Sequence, residues 1–112
     1  MGRETFEKHE RLLKWCDFQN VLKSGRNKKI DSICTVFWIA NGVGHRRLGI
    51  IASKKVGKAV VRNRTKRLIR SIFRINKEKI RPASDIVVVS GKGLDRIPFQ
   101  VLESKIMSIL YA

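Results

Sequence analysis

Acidic residues are scarce in this chain: 9 Asp and Glu face 25 Lys and Arg, for a net charge of +16 and a pI near 10.8. Asp17, Asp31, Asp85 and Asp95 are scattered. They offer none of the clustered carboxylates with which a protein nuclease holds catalytic metal. Histidine is limited to His9 and His45, neither with a partner at helical or strand spacing, so a general acid–base pair is not indicated. Cys16 and Cys34 match no zinc spacing and no disulfide framework, and they read as free thiols of a reducing cytoplasm. No P-loop or nucleophile motif occurs. The longest stretch free of Asp, Glu, Lys and Arg, Ser32 to His45, has 14 residues. A spanning helix needs roughly 18–20, so no membrane partner is expected. Arg3, Glu4, Glu7, Lys8 and Glu10 interrupt the apolar core a signal peptide would need. Repeats and low-complexity linkers are also missing. The expectation is a protein with no catalytic residue and no metal site of its own.

What is present fits a single domain. At 112 residues with 43% hydrophobic composition, the chain is long enough for one core and too apolar to be disordered throughout. Residues 1–15 read as a flexible basic N-terminal arm. The excess charge opposes folding and calls for a polyanionic partner. It is also concentrated: residues 54–81 hold 12 basic residues and one acid, Glu78, or +11 of the +16. General solubility does not require that concentration; a binding surface does.

Local patterns give the order α-β-β-α-β-α. Asp17 reads as the N-cap of a short helix carrying Phe18, Val21 and Leu22, ended by Gly25. Trp15, beside that start, has the position of a hydrophobic staple. Residues 33–40 and 48–53 read as two strands of a hairpin around Asn41-Gly42-Val43-Gly44. A long helix from Lys58 to about Asn76 follows, then a strand over 85–90. Pro98 starts a final helix with Phe99, Leu102, Ile106, Ile109 and Leu110 on one face. Such an order implies an α+β sandwich, a small mixed sheet with helices against it.

At about 100° per residue the long helix sorts its side chains cleanly. Val61, Leu68, Ile69, Ile72 and Ile75 share an apolar face, and Asn63, Lys66, Arg67, Arg70, Arg74 and Lys77 lie opposite. Arg62 and Arg64 flank the two. Like charges four apart, as in Lys66–Arg70 and Arg70–Arg74, repel by a few tenths of a kcal/mol, so this row favours an anion laid along it. Lys and Arg neutralise phosphates with salt-dependent affinity. Asn63 adds a donor and an acceptor for a base edge or 2′-hydroxyl. Lys54-Lys55-Val56-Gly57-Lys58 leads into the helix, with a glycine that lets backbone approach a phosphate. Phe18, Phe37 and Trp38 are candidate stacking platforms for unpaired bases. Strand alternation separates Phe37 from Trp38, so one of the two belongs to the core.

Gly49 to Arg70, and above all Arg62-Asn63-Arg64 with Lys66-Arg67 and Arg70 behind Ser53-Lys54-Lys55, closely resembles the signature of the bacterial ribonuclease P protein component. Length and element order agree over most of the chain. The resemblance implies a ribonuclease P protein-like fold with a left-handed β-α-β crossover, against the right-handed form seen in about 98% of cases. It implies a subunit that assists a catalytic RNA in removing the 5′ leader of precursor tRNA. The Mg²⁺ of that reaction would be mainly RNA-bound, and no obligate protein partner is indicated. Carried over, Lys54, Lys55, Lys58, Arg62, Asn63, Arg64, Lys66, Arg67, Arg70 and Arg74 face RNA. Phe18 would line a leader cleft between the Arg-Asn-Arg helix and the sheet, with Phe37, Trp38, Arg11 and Lys14 as further candidates. The family often has a second aromatic one turn after this Phe, where Leu22 stands here. The competing expectations are a basic ribosomal or general RNA-binding protein without leader selectivity, and a protein-only nuclease.

Overall fold

A computed structural model describes residues 8–111. Helix α1 spans Trp15–Ser24, with Lys14 at its N-cap. Asp17 is therefore not the cap but a first-turn acid, placed to complement the helix dipole. Gly25 ends the helix, its N–H donating to Val21 O at 2.9 Å.

Four strands follow the order β1-β2-β4-β3: β1 Arg26–Ile30, β2 Cys34–Ala40, β3 Arg47–Ile51 and β4 Ser84–Ser90. The hairpin is β1–β2, not the pairing of 33–40 with 48–53 expected from sequence. β4 lies between those two strands, antiparallel to β2 and parallel to β3. The physical reason is in its composition: Ile86, Val87 and Val88 are all fully buried, and a strand apolar on both faces belongs at the centre of a sheet. β1 was absent from the expected order because Arg-Asn-Lys-Lys-Ile is polar. Only Ile30 is buried, and such a strand survives at an edge guarded by its charges.

Helix α2, Ala59–Asn76, forms the β3-α2-β4 crossover, and α3 spans Phe99–Leu110 after Pro98. α2 and α3 cover one sheet face, where Ile69, Ile72, Phe73, Leu102 and Ile106 meet Val36, Leu48, Ile86 and Val88. α1 covers the other, where Leu12, Val21 and Val87 meet Phe18, Phe37, Ile39 and Ile51. The buried stripe of α2 is rotated from the one expected. Ile75 is 41% exposed, while Phe73 and Asn76 are buried. Asn76 is drawn inward because its Nδ2 donates to Ile72 O at 2.9 Å and to Glu103 at 2.7 Å, tying α2 to α3.

The expected free arm is also corrected over its second half. Glu10 and Leu12 are buried, Glu10 pairs with Lys77 at 3.0 Å, and Leu12 N–H donates to Leu48 O at 2.9 Å. Arg11 and Leu12 thus run beside edge strand β3. Residues 1–7 lie outside the described part. Among the described residues, no helix is long and apolar enough to cross a membrane.

Candidate nucleic-acid interface

The turn before α2 is built from the sequence Ser53-Lys54-Lys55-Val56-Gly57. Ser53 Oγ accepts from Lys55 N–H at 3.3 Å, and Val56 is buried as the anchor. Gly57 has φ +147°, a backbone conformation that favours glycine. The turn leaves Lys54, Lys55 and Lys58 exposed at the entrance to the helix.

Along α2, Asn63, Arg64, Arg67 and Arg70 are exposed, and Arg62, Lys66 and Arg74 are half-buried. Asn63, Arg67, Arg70, Ser71 and Arg74 line a groove of about 320 Å³ on the outer face. Partial burial, and then the positive Arg11 nearby, push the Arg70 guanidinium below its ordinary value. It stays charged, so the groove holds cations that repel one another and are held together by the fold. Among the described residues no carboxylate is ion-paired with Arg62, Lys66, Arg67 or Arg70. Arg64 differs: it pairs with Asp95 at 3.3 Å while remaining 56% exposed.

The aromatic candidates divide between the two faces of the sheet. Phe18 and Phe37 pack together with α1, whereas Trp38 lies on the α2–α3 face with Val36. This fixes which of Val36, Phe37 and Trp38 shares a face with Phe18: it is Phe37. Between α2 and the sheet there is core, not a cleft, so the expected location of a leader cleft is corrected; Phe18 is half-buried on the opposite face, packed with Leu12, Val21 and Val87. Trp15 is not a staple either. It is the first residue of α1 and 62% exposed, and it stacks on Phe18 with centroids 6.1 Å apart and planes 26° from parallel. Sequence reasoning missed this stacked pair, although the three-residue spacing on a helix was the available signal.

Arg11 joins the two surfaces. It lies near Arg70 and, with Lys14, His9, His45 and Arg47, lines an open hollow of about 610 Å³ next to α1. The two histidines do meet here, through tertiary structure. Their rings are 4.9 Å apart and edge-on, and His45 Nε2 lies 2.9 Å from His9 O. Behind them Asp85 receives two bonds from Arg47, at 2.8 and 2.7 Å, and one from Asn41 at 2.7 Å. No group of three or more His, Cys, Asp or Glu among the described residues is arranged to hold a metal ion.

A small α+β sandwich that concentrates cations on one helix, with an exposed aromatic stack on the other side of the sheet, belongs to the class of basic proteins built to hold a polyanion. Comparison with known proteins narrows the class. The family model for ribonuclease P matches residues 6–112. The chain is 38% identical over 111 residues to the ribonuclease P protein component of Dictyoglomus thermophilum, covering 97% of this chain and 92% of that one. The solved ribonuclease P protein from Thermotoga maritima is 37% identical with a TM-score of 0.79, covering 90% and 94%. That of Staphylococcus aureus is 30% identical with a TM-score of 0.79, covering 92% and 98%. The chain belongs to the ribonuclease P protein family. Membership makes it a subunit of the endoribonuclease that processes tRNA 5′ ends, with an RNA subunit as its partner.

Proposed function

We propose that the two surfaces divide the work: α2 and its preceding turn hold the catalytic RNA, and the α1 face holds the single-stranded 5′ leader of precursor tRNA. The observation that carries this reading is the separation of the two chemistries, with Arg11 at the junction. Lys54, Lys55, Lys58, Arg62, Asn63, Arg64, Lys66, Arg67, Arg70 and Arg74 offer charge and forked donors suited to a folded RNA backbone. Trp15, Phe18 and Phe37 offer rings, flanked by Arg11 and Lys14, suited to unpaired bases.

The protein lowers repulsion between two RNAs and favours substrate over leaderless product. In this reading the Mg²⁺ of the reaction is held mainly by the RNA, and the polypeptide supplies no reacting group. The complex works in the cytoplasm. The test is precursor tRNA cleavage at low Mg²⁺ by the protein alone, the catalytic RNA alone, and both together. Activity is expected only in the combined sample. Cleavage by the protein alone, or no gain on adding it, rejects the reading.

A further inference from the structure

Trp38, separated from the α1 platform, sits in a site of its own. It lies near the end of β2, and its direct cross-strand neighbour is Arg26 on edge strand β1, so the two side chains share a sheet face. From the third side Arg81 reaches over the indole, its guanidinium carbon 5.8 Å from the ring centroid. The segment bearing Arg81 is fixed. Its N–H donates to Leu110 O at 3.2 Å, and its carbonyl accepts from Ser84 Oγ at 2.6 Å. Gly25 brings the end of α1 against the same spot, since a Cβ there would fall 2.8 Å from the Trp38 carbonyl oxygen. Together these elements line an open hollow of about 620 Å³, within the roughly 300–1,000 Å³ of small-ligand sites. Its lining includes no carboxylate, and among the described residues none is ion-paired with Arg26 or Arg81.

We infer that this hollow is a second nucleotide site, which takes one unpaired base of RNA against Trp38 and Arg81 and its phosphate on Arg26. An indole and a guanidinium plane both stack on any base, and a pair of cations without acids suits an anion better than a neutral ligand. The inference rests on the reading of the chain as an RNA-binding subunit. It adds a contact at the β1 edge of the sheet, on the α2–α3 face but away from edge strand β3 and the α1 platform.

The test uses the full chain carrying Trp15→Phe, which leaves Trp38 as the single indole because the sequence has two tryptophans. Its emission is followed on titration with a short oligouridine, an abasic oligomer of equal length, polyglutamate, the catalytic RNA, and tRNA with and without its leader. Quenching by oligouridine but not by the abasic oligomer or polyglutamate is expected. Quenching by catalytic RNA or only by leader-bearing tRNA identifies the source of the nucleotide. Arg26→Ala with Arg81→Ala should weaken oligouridine binding and flatten its log–log salt dependence by roughly 0.7 units, for the one phosphate held on Arg26. Trp38→Leu, with folding checked by circular dichroism, should weaken it roughly 5- to 150-fold, as for loss of one stacked base. Equal quenching by the abasic oligomer or polyglutamate, or none by any RNA, overturns the site. Catalytic-RNA binding measured separately by anisotropy, with Arg67→Ala as reference, reports on α2 independently.

Discussion

The ring of Phe18 occupies the space that a side chain at Gly49 would need: a Cβ at position 49 would lie 2.5 Å from the ring Cζ. Helix α1 can therefore press its aromatic onto β3 itself, and the platform depends on a residue with no side chain. Gly49→Ala must displace the ring, and overpacking of this kind costs about 1–3 kcal/mol. A shifted denaturation midpoint together with reduced preference for leader-bearing tRNA is expected. An unchanged midpoint would show that the ring is not held there.

Removing the rings separates leader contacts from general RNA affinity. Trp15→Ala deletes an exposed indole, so stability should change by less than about 0.5 kcal/mol, while affinity for leader-bearing precursor falls by about 1–3 kcal/mol. Phe18→Ala should do the same at a larger cost in stability, because the ring also packs with Leu12 and Val21. Competition between leader-bearing and leaderless tRNA measures it; equal losses for both would reject the leader role.

On α2, each arginine that meets a phosphate adds to the salt dependence of binding. Arg62→Ala, Arg67→Ala and Arg70→Ala should each flatten the log–log slope for catalytic RNA by about 0.9 units. Titrations at several salt concentrations decide the matter, and three unaltered slopes would remove α2 from the interface.

Asp85 is buried, with its side chain 4% exposed, and it holds Arg47 and Asn41 at the junction of β2, β3 and β4. Asp85→Ala leaves the Arg47 cation with only the longer 3.7 Å pair to Asp17 and takes one of Asn41's partners as well, and it should cost about 3 kcal/mol. Adding Arg47→Met should recover part of that loss, because the orphaned charge is gone. A double variant as unstable as the sum of the single ones would contradict this account of the pair.

Burial, and then the Asp31 carboxylate, push the Cys34 thiol from its ordinary 9.0 up to about 11. The folded chain thus keeps this proton where the unfolded chain loses it. The contribution to stability is complete below pH 9 and declines as pH rises from 9 to 11. Unfolding midpoints across that range should fall more steeply for the natural chain than for Cys34→Ala. Parallel curves would exclude the thiol as the cause.

Much of this was legible in the residues. The period of α2 and its missing acids located the cationic surface, because a helix repeats often enough for its faces to be separated by counting. Gly25, Pro98 and the Ile-Val-Val-Val run marked an end, a start and a strand through local backbone and burial preferences. The family signature in Gly49 to Arg70 tied the chain to the ribonuclease P protein family.

Strand order was decided elsewhere. Which strand fills the centre depends on two faces being covered at once, by α1 on one side and by α2 and α3 on the other, and no local window contains that information. Strand alternation already separates Phe37 from Trp38, but only packing decided that Phe37 shares its face with α1 and Trp38 with α2 and α3, brought His9 to His45 and set Arg11 near Arg70. The sequence by itself determined that the chain would carry a concentrated positive charge and on which helix. Only the tertiary structure decided which rings accompany it, because stacking sites are made by residues distant along the chain that packing brings together.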